Sequence, residues 1–269
     1  MRTLLKVGFS LLILAIALIA VTASMLRAHG VSNPSNPAGR MVMTETRSVN
    51  KAIKMLDLNG PFDLIMRQGA TPSLTISGEQ RLLSNVVTSI DGGTLHIGTQ
   101  GLMFQRRRPI QVELVLPTIE QLTIRGSGDS KINGFSGDKL QVEMHGSGSA
   151  ICNGRFRNID AGVFGSGELE LNGGNSDKVA VQMMGSGQLT VVGSTKALKS
   201  DQTGTGALDA QHLAADSVSV DMTGSGSSTV TARQDVTLNL HGSGDVVVYG
   251  NPSRRTVTRT GSGEVSFNQ

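Results

Sequence analysis

The sequence has few aromatic residues, and this shortage limits what the chain can build. Trp is absent, Tyr occurs once, and aromatic residues make up 3% of the 269 residues. Aromatic side chains therefore cannot supply the core, and Val, Leu, Ile, Met and Ala must fill a thin, layered β structure instead. Carbohydrate-active sites often stack sugars on aromatic rings, so the shortage also argues against a glycan-acting enzyme.

Acidic residues are absent before Glu45, and the body of the chain carries no net charge. The formal net charge of +3 comes from Arg2, Lys6 and Arg27. Nucleic-acid binding requires a positive field and, for single strands, stacking platforms. We therefore expect no nucleic-acid partner.

An apolar N-terminal segment predicts export. Arg2 and Lys6 precede an uninterrupted apolar run, and a small-x-small pattern that ends at Ala23 fits signal-peptide cleavage. The alternative is an uncleaved anchor in the inner membrane, because residues 7–26 carry no charge and are long enough to span a bilayer. Both alternatives place the body in the periplasm or at the cell surface, with membrane contact only through residues 7–26.

Composition divides the chain into three parts. Residues 1–27 are the signal peptide or anchor, and residues 28–47, rich in Ser, Asn, Pro and Gly, are a predicted flexible linker. Residues 48–269 form one all-β domain. Before the repeats this domain shows short β-type runs and a basic triplet at 106–108 that we assign to a solvated loop. The predicted runs cover residues 62–66, 73–76, 94–97 and 110–116.

A Gly-Ser-Gly motif recurs in the second half of the chain at intervals of 18 to 20 residues. The fifth of its eight copies is Gly-Thr-Gly. The copies begin at Gly126, Gly146, Gly165, Gly185, Gly204, Gly224, Gly242 and Gly261. A fixed period of this length is typical of solenoids. Glycine at fixed places indicates backbone with positive φ or a tight corner.

Alignment of the repeats on this motif gives strand periodicity on both sides of it. Residues two and four positions after the last Gly are small or apolar, and those between them are mostly polar. The same alternation precedes the motif, with Ser200 and Gln202 as polar exceptions in the fifth repeat. Each repeat is therefore predicted to be one coil of a β-solenoid, with eight coils about 4.8 Å apart. A meander of hairpins would not require one residue class in each inward column.

These residues resemble a known family. Gly-Ser-Gly-Asp corners at 126–129 and 242–245, Gly-Pro-Phe-Asp at 60–63 and Pro-Thr-Ile-Glu-Gln-Leu at 117–122 are similar to the "putative auto-transporter adhesin, head GIN domain" family (DUF2807). The resemblance covers residues 48–265. It implies a β-helix in the bacterial envelope with a proposed adhesin role and no established enzyme activity, and it supplies no catalytic residues. Asp follows the corner only at Asp129 and Asp245, so an Asp ladder that binds cations is not implied.

Most residues that suggest chemistry have a structural explanation. Seven equivalent corner serines cannot all be nucleophiles, and turns favour serine there. His145 and His241 share an outward column but lie five coils apart, roughly 24 Å at the stacking distance, so they cannot share a metal. Cys152 occupies an inward column as a small buried hydrophobe. We expect no catalytic, cofactor-binding or metal-binding residues.

Paired acids are the remaining candidates for a cation site. Asp201 and Asp221 are equivalent outward residues of adjacent coils, as are Asp245 and Glu264. Each pair could lie about 5 Å apart, close enough to bind Ca²⁺. Solvated surface acids are the simpler interpretation, and the sequence does not decide between them.

These features favour a non-enzymatic, exported envelope β-helix that acts as an adhesin or surface scaffold. Its ligand, a protein or a glycan, and its oligomeric state are not specified by the sequence. Two alternatives remain open. A glycan-acting β-helix enzyme would require a cleft with clustered acids. A membrane-anchored component of envelope-stress signalling would require residues 7–26 to be retained.

Overall fold

The computed structural model describes residues 41–101 and 109–268, and 77% of them lie in β-strands. In chain order the elements are β1 (Val42–Arg47), β2 (Met55–Asn59), β3 (Phe62–Gln68), β4 (Ser73–Glu79), the short helix α1 (Gln80–Leu83), β5 (Val86–Asp91), β6 (Thr94–Thr99), β7 (Ile110–Leu116), β8 (Gln121–Gly126), β9 (Asp129–Gly146), β10 (Ser149–Gly165), β11 (Glu168–Gly185), β12 (Gln188–Gly204), β13 (Ala207–Gly224), β14 (Ser227–Gly242), β15 (Asp245–Tyr249), β16 (Arg254–Thr260) and β17 (Val265–Asn268).

Parallel stacking of successive repeats confirms the predicted β-solenoid, which makes about seven turns. Each strand from β9 to β14 pairs in parallel with the equivalent strand of the next repeat. Val163, for example, lies between Met144 and Met183, its counterparts in the neighbouring repeats. A hairpin meander is excluded for this region because its neighbouring strands would run antiparallel.

Between successive corners each repeat makes a second, gentler turn, marked by positive φ at Gly134, Gly174 and Gly193. The long strands continue through it, with register shifts after Asn153 in β10 and Asn172 in β11. The corners themselves stay in register from Gly146 to Gly165 and beyond. Since repeats differ in length by up to two residues, the extra residues are taken up as bulges at the second turn.

The corners require glycine because the coils stack there backbone on backbone. Gly185 has a φ of +118°, and a Cβ on it would lie 2.5 Å from the carbonyl oxygen of Gly165. A Cβ on Gly187 would lie 2.6 Å from the carbonyl oxygen of Gly167. From Gly146 onward, the first glycine of each motif therefore supplies positive φ as well as space, and the second supplies space.

Inward columns form one continuous core, as the alternation predicts. The polar exceptions of the fifth repeat are buried too, with Gln202 donating through Nε2 to Ser200 Oγ at 3.3 Å. In the last coil the pattern ends, because Val257 and Arg259 occupy inward columns yet remain exposed. No described coil stacks beyond them.

The N-terminal strands form a cap whose spatial order differs from chain order. β2 lies between β6 and β8, and β3 lies between β7 and β9, all in parallel. β4 then pairs antiparallel with β7, and β5 pairs antiparallel with β6. The runs predicted at 62–66, 73–76, 94–97 and 110–116 lie within β3, β4, β6 and β7.

The predicted linker over residues 28–47 needs a correction at its end. Residues 42–47 are the strand β1, which pairs antiparallel with β4 along its whole length. Val and Thr favour strands, and β1 covers an edge of β4 that would otherwise be exposed. Residues 28–40, the N-terminal segment 1–27 and the basic triplet 106–108 lie outside the described residues. Among residues 41–101 and 109–268, no helix is long and apolar enough to cross a membrane.

Candidate binding groove

The C-terminal halves of β9 to β14 form a flat sheet face, here called the outer face, that displays three side chains per strand. These are the residues one, three and five positions before the first Gly of each corner. Parallel pairing aligns them in columns that run along the solenoid axis. The face is therefore a regular grid of side chains about 4.8 Å apart in the stacking direction.

A groove of about 370 Å³ interrupts this face across β9 to β12. It forms where the two smallest outward residues, Gly162 of β10 and Ala180 of β11, lie diagonally to each other on adjacent coils, two register positions apart, between longer side chains. The side chains that surround it are Gln141, Glu143, Asp160, Phe164, Lys178, Gln182, Lys199 and Asp201. We call this the Gly162–Ala180 groove.

Phe164 bounds one side of the groove and stacks on a second ring. The rings of Phe164 and His145 belong to adjacent strands, with their centroids 4.7 Å apart and their planes 13° apart. Phe164 also leans over Gly162, where a Cβ would lie 2.6 Å from Phe164 Cε2. Gly162 thus makes room both for the ring and for the groove. Stacking on His145 holds the ring in place.

The carboxylates of the groove are already paired with neighbouring side chains. Asp160 forms an ion pair with Lys139 at 3.1 Å. Glu143 accepts a hydrogen bond from Gln141 at 2.8 Å and lies 3.4 Å from His145 Nε2.

Asp201 is paired in the same way. It accepts a hydrogen bond from Lys199 Nζ at 3.0 Å. This hydrogen bond and the charge of Asp201, with a smaller contribution from Asp221, raise the pKa of the Lys199 ammonium above its usual value.

Two polar side chains of the groove remain open to a ligand. Lys178 and Gln182 of β11 make no ion pair or side-chain hydrogen bond with any described residue. Both are exposed and lie next to Ala180. The groove therefore offers one free ammonium group and one free amide beside a floor of small residues.

Three of the four acids that the sequence suggested as cation ligands accept hydrogen bonds from protein groups. Asp201 and Asp221 are register neighbours, as predicted, but Asp221 accepts a hydrogen bond from Asn239 at 2.7 Å and Asp201 binds Lys199. Asp245 accepts the backbone N–H of Glu264 at 2.8 Å. The described ranges contain no cluster of three or more His, Cys, Asp or Glu residues that could hold a metal ion.

The other candidate residues lie where the column alignment predicts. Cys152 is buried, and desolvation raises the pKa of its thiol to about 12. His145 and His241 occupy one outward column with four strands between them. Sequence reasoning missed the groove, which Gly162, Phe164 and Ala180 line, and the stacking of His145 on Phe164. The missed signal is one small outward residue in each of repeats three and four, in neighbouring outward columns.

Comparisons with known proteins agree with this architecture. The model of the family described as "Putative auto-transporter adhesin, head GIN domain" matches residues 53–252. A structure described as a putative adhesin from Parabacteroides distasonis is 19% identical, with a TM-score of 0.79 over 86% of this chain and 98% of that chain. A putative adhesin from Parabacteroides merdae is 18% identical, with a TM-score of 0.77 over 85% and 96%.

A third similar structure carries a different description. It is described as a putative lipid binding protein from Parabacteroides distasonis, and it is 20% identical, with a TM-score of 0.75 over 85% of this chain and 97% of that chain. At these identities the likeness shows the fold. No curated protein matches the chain.

Proposed function

Because the chain belongs to the "Putative auto-transporter adhesin, head GIN domain" family, we propose that it is an exported, non-enzymatic binding module of the bacterial envelope. In this proposal the solenoid is a rigid support, and the outer face holds a ligand of the cell surface or extracellular matrix. The charged and apolar segment at the N-terminus supports export.

The form of the Gly162–Ala180 groove is the observation that carries this proposal. It is an open depression on a flat, polar face, and its three acids are paired with neighbours. Such a surface suits many modest contacts with an extended ligand more than the enclosure of a small substrate. The names given to the family and to the similar structures, adhesins or binding proteins, point the same way.

Two measurements on the full chain test the proposal. Protease is added to intact cells and to osmotically shocked cells to locate the β-solenoid domain. We expect the protease to cleave this domain in at least one of the two cell preparations. Beads coated with the detergent-purified protein are then washed over mucin, fibronectin and peptidoglycan, and we expect several-fold more retention than with heat-unfolded protein on at least one coating. The proposal would be overturned if the β-solenoid domain stayed uncleaved by protease in shocked cells, or if none of the coatings retained the beads.

A glycan-cleaving enzyme is the second candidate, favoured by the three carboxylates of Glu143, Asp160 and Asp201 along one groove. Glycosidases use a pair of acids, one of which must donate or accept a proton. In this groove each carboxylate is held by a cation or an amide. Incubation of the full chain with polygalacturonate distinguishes the two functions, because only an enzyme releases new reducing or unsaturated ends.

A further inference from the structure

We propose that the Gly162–Ala180 groove binds an acidic sugar, with Lys178 contacting the carboxylate of the sugar. This inference rests on the proposed function, since it names the ligand class of the same face. It follows from three properties of the groove: which of its charges is free, what its floor is made of, and how little apolar surface surrounds it.

The groove is lined by one cation that has no ion-pair partner. Asp160 and Asp201 are paired with lysines, and Lys199 is held by Asp201 at 3.0 Å. The carboxylate of Glu143 accepts a hydrogen bond from the neutral amide of Gln141. Lys178 remains without a partner among the described residues. A ligand gains a charge-assisted hydrogen bond there only if it brings an anionic group, and it need not break an existing ion pair to do so.

The floor and the walls fit the two faces of a sugar ring. Gly162 and Ala180 present small, apolar surface, and the ring of Phe164 borders it. The C–H face of a pyranose can pack against such a surface. The amide of Gln182, free of side-chain partners, can exchange hydrogen bonds with hydroxyl groups, and the amide oxygen of Gln141, whose Nε2 already donates to Glu143, can accept one.

The surroundings favour a sugar over a protein partner. A standard protein interface buries about 800 Å² on each partner around an apolar centre. Next to this groove Met184 is the one large apolar side chain of the described residues with high exposure, at 59%. Apart from Gly162, Ala180, Phe164 and two histidines, the rest of the face is charged, amide or hydroxyl. The volume of about 370 Å³ lies in the lower part of the range for small-ligand sites.

Trigalacturonate titrated into the full chain in detergent tests the ligand class, with its methyl ester as the uncharged control. We expect trigalacturonate to bind at least about tenfold more tightly than the ester, because one charge-assisted hydrogen bond is lost. Calorimetry measures both affinities. Equal binding of acid and ester, or no binding of either, would overturn the inference.

Two pairs of variants test the location. Lys178→Gln should weaken trigalacturonate binding about tenfold and leave the ester unaffected. Its control, Lys131→Gln, removes an exposed and unpaired lysine on the other sheet face. Ala180→Ile should fill the floor and abolish binding of both ligands, whereas Ser219→Ile changes the same column two coils away, outside the groove. If a groove variant and its control bind the ligands with the same affinity, the groove is not the binding site.

The bead assay separates this inference from the proposed function. Retention that trigalacturonate does not block, with no calorimetric binding, would leave the envelope binding function intact and refute the acidic sugar. A protein ligand would give this result on fibronectin. Calorimetric binding that Lys178→Gln abolishes, with beads retained on no coating, would support the sugar site and refute adhesion.

Discussion

Cys152 and Phe164 lie on one strand, β10, and their directions give them opposite roles. Cys152 points inward, is 2% exposed, and has Ile132 and Leu171 as its register neighbours. Phe164 points outward, stacks on His145 and borders the groove. At the scale of single residues, the side of the strand therefore decides whether a side chain builds the core or contacts solvent and ligands.

We expect Cys152 to be unreactive in the folded protein. Thiolate, not thiol, is the nucleophile, and burial raises the pKa of this thiol to about 12. Ellman's reagent at mildly alkaline pH should therefore label the full chain only after denaturant is added. Rapid labelling under native conditions would contradict the burial of this side chain.

The same pKa predicts how stability changes at high pH. An unfolded chain ionises its thiol above pH 9.0, whereas the folded chain retains the proton until about pH 12. The contribution of the protonated Cys152 thiol to the free energy of unfolding is therefore complete below pH 9.0. The free energy of unfolding then decreases as pH rises, by at most about 1.4 kcal/mol per pH unit. Cys152→Val, which matches Val191 of the same column, should lose less unfolding free energy over this interval in denaturant titrations. Equal pH dependence of the two proteins would contradict the prediction.

At the scale of elements, the solenoid combines one rigid corner with one tolerant turn. The Gly-Ser-Gly corners stack in register, and their glycine positions leave no room for a Cβ atom. The second turn takes up differences in repeat length through register shifts, as at Asn172 in β11. Insertions are therefore expected to be accommodated at the second turn and not at the corner.

Gly185→Ala tests the corner. Positive φ and a Cβ 2.5 Å from the carbonyl oxygen of Gly165 should together lower the free energy of unfolding by about 1–3 kcal/mol or more. Guanidinium unfolding followed by circular dichroism measures the change. Gly98→Ala is the control, because its Cβ would lie 3.7 Å from the nearest atom, the carbonyl oxygen of Asn59. Equal stability of the two variants would show that the corner does not require glycine.

At the scale of the whole molecule, the two ends of the rod are protected differently. The antiparallel strands β1 and β5 close the N-terminal end. At the C-terminal end, β16 and β17 have no described neighbour beyond them. Arg255 lies over the Phe267 ring at 4.4 Å, and Arg259 donates to the carbonyl oxygen of Gly263 at 2.8 Å. Positive charge on an exposed edge disfavours pairing with another chain.

Neutralising this edge should therefore promote self-association. We expect Arg255→Thr combined with Arg259→Val to form concentration-dependent oligomers, because the edge then keeps only Arg254, whose charge is paired with Asp235. Light scattering after size-exclusion chromatography of the full chain measures the mass. Arg233→Val, an exposed arginine away from the edge, is the control. If the double variant and the control keep the mass of the parent protein, charge is not what protects this end.

Periodicity in the sequence determined the repeating part of the fold. Each inward column holds one class of residue, and each corner holds glycine, so the coils must stack in register. This alignment places Cys152, Met144 and Met183 in the core. These features are local, because each depends on residues within one repeat and its neighbour. They were therefore readable from spacing alone.

Only the tertiary structure decided the cap and the groove. Leu64 pairs with Ser130 across 66 residues, and β1 joins the sheet through β4, neither of which follows from a local period. The groove depends on Gly162 and Ala180 lying diagonally to each other on adjacent coils and on the direction in which Phe164 leans. Contacts of this kind depend on which strands become neighbours and how side chains pack between them. That information is distributed over the folded chain and is not carried by any one repeat.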